Sequence, residues 1–271
     1  MIHYNCNELL THFLPSSNMD SEIGVPGMRP AMKRLFKSNY LIPKFFNQIA
    51  VLKLPHIPHV TFLHGQFNLD AYDDALFTRY NVAFPQAVRG ALIKRKADYF
   101  AGRYLCRCLL SERGLPLQVD VGRHREPLWP QGWIGSITHS HDTVVVALAQ
   151  DLPGRILGID LERLMSSTEA TEVKNIVALP NELENLTGNR SSETLLTIIF
   201  SAKESLFKAL YPRIKKYFDF DCAILLHLDE VGGCFTIRLE RTLAGSWSTG
   251  TMIKGKFLFF GSQILTVVAA G

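Results

Sequence analysis

Three carboxylates and two ammonium groups, placed in two short stretches, have the types and the spacing to bind a metal ion and a phosphate. The first stretch, residues 158–163, reads Gly-Ile-Asp-Leu-Glu-Arg and puts Asp160 and Glu162 two residues apart. It follows an apolar run and a Pro-Gly turn signal, so we predict a strand, on which alternate side chains share a face. Adjacent carboxylates repel unless a proton or cation lies between them, and Mg²⁺ typically binds one or two carboxylates together with water and substrate phosphates. A solvated strand face is the commoner origin of such a pair, which therefore needs support from elsewhere in the chain.

The second stretch, residues 193–212, supplies the third carboxylate. It is predicted to be a mostly buried helix that ends at Pro212, because its apolar residues cover more than half of the helical wheel. Glu204 and Lys208 lie on the narrow polar stripe that remains, whereas Lys203 falls inside the apolar arc. Alone, the helix also fits a solvated ion pair four residues apart, with Lys203 extending to water. Together with the acidic strand, it indicates a site for a metal-bound, multiply charged phosphate.

Length and composition limit the class of protein. The 271 residues, 47% of them hydrophobic, are enough to bury a sizeable core. No apolar run approaches the roughly 18 residues of a membrane span, and the N-terminus lacks a signal-peptide pattern, so we expect a cytoplasmic protein without stable membrane insertion. Five cysteines without a C-x-x-C pair indicate reduced thiols. With 29 Lys and Arg against 25 Asp and Glu, the net charge of +4 is too small to indicate nucleic acid, but it favours a polyanion or an acidic partner.

A basic helix and a polar turn offer further contacts to phosphate. Residues 85–110 are predicted to form one long helix with a basic polar face, on which Arg95 and Arg103 lie within about 80° of one another. Such a face is often simply solvated, and binding of phosphate is the alternative. Residues 134–142, rich in Ser, Thr and His, are predicted to form a turn whose hydroxyls, imidazole and amides can meet a phosphate. Because these helices are mixed with largely antiparallel strands, the fold class is predicted to be α+β.

Five motifs occur in one order along the chain: R-K-A-D-Y-F-A-G-R at residues 95–103, R-E-P-L-W-P at 125–130, G-S-I-T-H-S at 135–140, G-I-D-L-E at 158–162 and F-S-A-K-E-S-x-x-K at 200–208. Each alone is weak, but together they form a specific signal. With these motifs the chain resembles the 4′-phosphopantetheinyl transferase superfamily, and within it the enterobactin synthase component D type of siderophore-associated enzymes.

The resemblance implies a fold and a reaction. The fold would be pseudo-dimeric, with two similar α+β halves and the active site between them: residues 61–150 as the N-terminal half, 151–271 as the C-terminal half with the metal site, and 1–60 as a segment of uncertain role. The reaction would transfer the 4′-phosphopantetheine group of coenzyme A to a serine of an acyl, peptidyl or aryl carrier protein and release adenosine 3′,5′-bisphosphate. The enzyme would serve siderophore biosynthesis as a monomer or as part of a synthetase complex.

The resemblance also implies roles for single residues. Mg²⁺ would be held by Asp160, Glu162 and Glu204. Glu204 and Lys203 would be the catalytic residues. Because the carrier serine must lose a proton, we expect Glu204 to be the base, acting directly or through metal-bound water. Phosphate charge of coenzyme A would be neutralised by Lys203 and Lys208. Coenzyme A would be anchored, chiefly at its 3′-phosphate end, by the following residues: Arg95, Arg103, Arg125, Thr138 and His139.

Two other functions remain open at this stage. The first is a component of a multienzyme synthetase that binds coenzyme A or a carrier domain without turnover. The second is another Mg²⁺-dependent phosphotransferase or a nuclease, against which stand the small net charge and the absence of a G-x-x-x-x-G-K-[ST] phosphate loop.

Overall fold

The computed structural model describes residues 44–54, 56–180, 182–186 and 190–271. Two large antiparallel sheets carry the fold, and the long helices of the two halves pack against them. The predicted α+β class is confirmed. Within the described residues, none of the helices combines the length and the apolar character needed to cross a bilayer.

Each half has its own sheet. The first half contains, in chain order, β1 (Phe46–Leu52), β2 (Thr61–Phe67), α1 (Ala75–Arg79), α2 (Gln86–Arg89), α3 (Ile93–Ser111), β3 (Asp120–Val121), β4 (Pro127–Leu128), β5 (Trp133–Ser140) and β6 (Thr143–Gln150). The second half contains β7 (Ile156–Arg163), α4 (Ser167–Val177), α5 (Glu182–Asn185), α6 (Ser192–Ile214), β8 (Ala223–Asp229), β9 (Cys234–Leu239), β10 (Met252–Phe260) and β11 (Gln263–Ala270). The strand orders are β1-β2-β6-β5 and β7-β11-β10-β9-β8, and β3 and β4 form a small hairpin.

The core consists of three apolar clusters, and two of them share β6, a strand that is buried on both faces. On one face, Val144 and Val146 pack with the apolar side of α3. On the other, Val145 and Ala147 pack with Ile159 of β7 and with β11, in a core that both sheets share. The third cluster lies between α6 and the second sheet. The two sheets therefore face each other through a common core, and the long helices lie on the outer faces.

The two halves also meet edge to edge, where β5 lies against β7. The side-chain oxygen of Ser136 accepts a hydrogen bond from the backbone N–H of Ile159 (3.1 Å), and that of Thr138 accepts one from Leu161 (2.9 Å). The two hydroxyl oxygens accept the hydrogen bonds that the backbone carbonyls of a neighbouring strand would otherwise accept. A buried N–H without such an acceptor would lower the stability of the fold. Ser136 and Thr138 thus fix the register between the halves, although both are polar residues in a buried position.

Removing one of these hydroxyls tests the joint. Thr138→Val keeps the shape of the side chain but leaves the N–H of Leu161 buried without its acceptor, so we expect the free energy of unfolding to fall by about 1–3 kcal/mol. Thr138→Ser keeps the oxygen and should lose less. Urea denaturation of both variants measures the difference. Equal stability of Thr138→Val and the unchanged protein would contradict this joint.

The structure corrects three sequence predictions. Residues 134–142 were predicted as a turn, but most of them form β5, whose buried Ser and Thr hide the usual apolar pattern of a strand. The predicted helix 85–110 is two helices, interrupted around Gly90. Helix α6 passes Pro212 and ends at Ile214, because a proline in the last turn removes little of the hydrogen bonding. The domain boundary at residue 61 stays a prediction; β1 pairs with β2 and so belongs to the sheet of the first half. Residues 1–43 lie outside the described part.

Candidate functional site

Strand β7 presents Gly158, Asp160 and Glu162 on the face that meets α6. At Gly158 the helix comes so close that an added Cβ would lie 2.0 Å from the carbonyl oxygen of Ser205 and 2.4 Å from the backbone nitrogen of Ala209. Only glycine permits this approach, since backbone atoms cannot move aside as a flexible side chain can. The close contact brings the polar stripe of α6 to the carboxylates of the strand.

Asp160 is the centre of this arrangement. Its side chain is buried, and Oδ1 accepts a hydrogen bond from Nζ of Lys208 (2.6 Å) and a longer one from the hydroxyl of Thr138 (3.4 Å). Its other oxygen, Oδ2, is buried and has no hydrogen-bond partner among the described residues. A buried carboxylate oxygen without a partner is unfavourable, and a bound cation would satisfy it.

Glu162 and Glu204 complete a set of three carboxylates, which together with Lys208 we call the acidic cluster. Burial, and then the charge of Asp160, raise the pKa of Glu162 to about 7. The same two causes raise the pKa of Glu204, and in both residues the Lys208 ammonium opposes the rise. Two carboxylates with raised pKa values beside a third, buried carboxylate fit a divalent cation, whose charge would offset theirs.

The donor types of the acidic cluster fit a hard cation such as Mg²⁺, which prefers oxygen ligands. As they stand, however, no three His, Cys, Asp or Glu side chains in the described ranges are arranged to hold a metal ion. The ammonium of Lys208 lies against Asp160 instead, and it supplies the positive charge that the carboxylates require.

A second group of side chains, the His139 cluster, lies on β5 and α3. Nε2 of His139 is 3.3 Å from Nη1 of Arg95, and Nδ1 is 3.6 Å from Oδ2 of Asp98, which also pairs with Lys94. Burial lowers the pKa of His139, Asp98 opposes this, and the charges of Arg95, Lys94 and Lys208 add to it. The two clusters are neighbours, because Thr138, the residue before His139 on β5, donates a hydrogen bond to Asp160.

The two other predicted arginines belong to the region of the β3–β4 hairpin. Arg103 is buried, with its guanidinium over the ring of Tyr99 (5.1 Å) and Nη2 at 3.5 Å from the carbonyl of Asp120, and its Nη1 has no partner among the described residues. Arg125 is exposed in the turn of the hairpin, in a left-handed conformation (φ 68°). The hairpin reaches the end of α6, where Lys215 lies 3.7 Å from Glu126.

The structure does not bring Lys203 to either cluster. Its side chain is buried, and Nζ donates to Oε2 of Glu182 and to the carbonyl of Val177, both at 2.8 Å. Glu182 is fully buried and also accepts from the N–H groups of Leu179 and Leu225. The buried position of Lys203 agrees with its place in the apolar arc of the helix, and the catalytic and coenzyme A roles predicted for this residue stay predictions.

Thr138 lies at the joint between the two halves. Its hydroxyl is buried between Leu161 and Asp160, and the contact with coenzyme A predicted for this residue stays a prediction. It holds the acidic cluster in place. Sequence reasoning missed Asp98, although the residue lies in the R-K-A-D-Y-F-A-G-R motif, because its partner His139 follows 41 positions later.

Comparison with known proteins agrees with the motif order. Residues 84–149 match the family model of the 4′-phosphopantetheinyl transferase N-terminal domain, and residues 156–267 match that of the 4′-phosphopantetheinyl transferase superfamily. The chain is 31% identical over 184 residues to enterobactin synthase component D of Salmonella typhi, covering 68% of this chain and 75% of that protein. It is 31% identical over 185 residues to the 4′-phosphopantetheinyl transferase Npt of Nocardia iowensis, covering 65% and 82%. It is 36% identical over 176 residues to the 4′-phosphopantetheinyl transferase Svp of Streptomyces mobaraensis, covering 62% and 70%.

Proposed function

The chain belongs to the 4′-phosphopantetheinyl transferase superfamily, and we propose that it carries out the transfer at the acidic cluster of Asp160, Glu162, Glu204 and Lys208. The enzyme moves the 4′-phosphopantetheine group of coenzyme A to a serine of a carrier protein. The serine oxygen forms a new bond to the phosphorus that carries the pantetheine arm. The bond from this phosphorus to the oxygen that bridges the pyrophosphate breaks, and adenosine 3′,5′-bisphosphate leaves.

Mg²⁺ would be held by Asp160, Glu162 and Glu204. When bound, it would neutralise negative charge on the pyrophosphate of coenzyme A. The observation that carries this proposal is the buried, unpartnered Oδ2 of Asp160 beside two carboxylates with raised pKa values. Phosphoryl transfer asks a protein mainly for alignment and charge neutralisation, and this cluster offers both on rigid elements.

The residues of the acidic cluster divide the remaining work. Glu204, whose pKa is raised by burial and by the charge of Asp160, is the base that accepts the proton of the carrier serine. Lys208 has an ammonium at the mouth of the cluster, with 29% of its side chain exposed, and can move from Asp160 to a phosphate oxygen of the substrate. With Lys203 in the core, Lys208 is the ammonium of the motif that acts on substrate.

The nucleotide end of coenzyme A is assigned to the His139 cluster and to the arginines of the hairpin region. Arg95 and His139 lie side by side and present nitrogen atoms to a phosphate. Arg103 extends from α3 with a buried Nη1 that lacks a partner among the described residues, and Arg125 lies in the turn of the β3–β4 hairpin. An arginine suits this role because its planar fork of donors matches phosphate oxygens.

The carrier would be an acyl, peptidyl or aryl carrier domain of a siderophore pathway. The likeness to a protein named enterobactin synthase component D supports this choice. An acidic carrier would be steered by the positive net charge of +4. We expect the enzyme to act in the cytoplasm, as a monomer or within a synthetase complex.

Intact-mass spectrometry of an apo carrier domain tests the function. With this protein, coenzyme A and Mg²⁺, the carrier should gain the mass of one phosphopantetheine, about 340 Da, and EDTA should abolish the gain until Mg²⁺ is restored in excess. No gain on several carrier types, despite measurable binding of coenzyme A, would favour the component that binds without turnover. A gain that persists in EDTA would contradict the metal site.

A further inference from the structure

Asp98 has a buried carboxylate that the transfer reaction leaves without a role. It lies on α3 between Arg95 and Arg103 and is 5% exposed. One oxygen pairs with the ammonium of Lys94, one turn earlier on the same helix. The other oxygen, Oδ2, lies 3.6 Å from Nδ1 of His139, a residue of β5. Asp98 therefore connects the helix with the strand at the site assigned to the nucleotide.

The contacts of His139 with Arg95 and Asp98 together define which ring nitrogen carries the proton. A guanidinium can only donate, so Nε2 of His139, at 3.3 Å from Nη1 of Arg95, is the acceptor of that pair. The proton of the neutral ring then lies on Nδ1, which faces the carboxylate of Asp98. The ring is held from both sides, with Asp98 behind it and Arg95 beside its outer nitrogen.

The charges around His139 are arranged for an anion that is not part of the protein. Burial and the charges of three cations, Arg95, Lys94 and Lys208, disfavour the protonated ring, whereas the carboxylate of Asp98 favours it. A phosphate dianion would bind the guanidinium of Arg95 and release Nε2 from its present pairing. The ring would then take a proton from solvent at Nε2 and donate it to the phosphate, with Asp98 stabilising the imidazolium.

We propose that Asp98 is a positioning residue for the 3′-phosphate of coenzyme A, acting through His139 by fixing the orientation and the charge of its ring. This inference rests on the proposed function, which places coenzyme A in the site. It assigns Asp98 no contact with the substrate. Its effect is expected on binding of the 3′-phosphate and not on the transfer step at the acidic cluster.

A comparison of two substrates separates this role from a structural one. In Asp98→Asn we expect the KM for coenzyme A to rise about tenfold with kcat nearly unchanged, the factor that corresponds to one lost charge-assisted interaction. With 3′-dephospho-coenzyme A, which lacks the phosphate, the same variant should match the unchanged enzyme. Asp74→Asn is the control, because Asp74 pairs with Lys96 at the surface, and it should alter neither KM.

Epistasis with the histidine supplies the second readout. His139→Gln should also reduce the preference for coenzyme A over 3′-dephospho-coenzyme A, and Asp98→Asn should add nothing in that background. Equal losses on both substrates, or additive losses in the double variant, would overturn the proposal. If Asp98→Asn does not fold, an unchanged substrate preference in His139→Gln would overturn it too. A failure of the function itself would differ, because the unchanged protein would then modify no carrier with either substrate.

Discussion

Asp160→Asn is expected to lower the rate of carrier modification by about a thousandfold while the protein stays folded. The substitution keeps the size of the side chain but removes the charge from the residue at the centre of the acidic cluster. In the proposed site Mg²⁺ would then lose a ligand, and the amide cannot replace the ion pair with Lys208. Single-turnover kinetics, followed by the mass of the carrier, measure the loss.

Stability should change little in the same variant. Breaking a buried ion pair is costly when it leaves a charge alone, but Lys208 keeps the carboxylates of Glu162 and Glu204 as neighbours. Removing one of three like charges also relieves the repulsion that raises the pKa values of those two residues. We therefore expect the urea midpoint to stay near that of Asp74→Asn, a surface control. Turnover within tenfold of the unchanged enzyme would contradict the assigned role of Asp160.

Gly158→Ala is expected to have the largest effect on the fold. The new methyl group would lie 2.0 Å from the carbonyl oxygen of Ser205 and 2.4 Å from the nitrogen of Ala209, so α6 must move away from β7. Overpacking against a backbone lowers the free energy of unfolding by about 3 kcal/mol. The shift also separates the helix from Asp160, so transfer should fall together with stability.

Gly90→Ala is the matched control for that variant. Gly90 follows the last residue of α2, and an added Cβ there would meet nothing within 4 Å. Urea denaturation and carrier modification should both remain unchanged in Gly90→Ala. If Gly158→Ala were as stable and as active as Gly90→Ala, the close approach of α6 to β7 would be refuted.

The acidic strand could be predicted from the sequence because its pattern is local. Asp160 and Glu162 alternate with buried residues, and the structure places them on one face of β7 as expected. The stripe on α6 was also foreseeable, since a 3.6-residue period separates Glu204 and Lys208 from the apolar arc. Gly158 lets the helix approach the strand closely because it has no side chain. This role can be recognised only when the positions of both elements are known.

Other parts of the site depend on partners that lie far away in the chain. Lys203 could be placed in the apolar arc, but its partner Glu182 lies 21 positions earlier, in another helix. Strand β5 was taken for a turn because its buried positions hold Ser136 and Thr138, whose hydroxyls bond to β7. The local sequence pattern does not show that another sheet lies beside these residues. The roles of Ser136 and Thr138 can therefore be recognised only from the tertiary structure.

Binding of Mn²⁺ tests the central claim, that the acidic cluster is the metal site of the transferase. Mn²⁺ shares the preference of Mg²⁺ for oxygen ligands, and its free-ion EPR signal disappears on binding. With coenzyme A present and carrier absent, the unchanged enzyme and Asp74→Asn should bind Mn²⁺ equally, while Asp160→Asn and Glu204→Gln should bind it at least about tenfold more weakly. Equal binding by all four proteins would show that the metal lies elsewhere and would contradict the account.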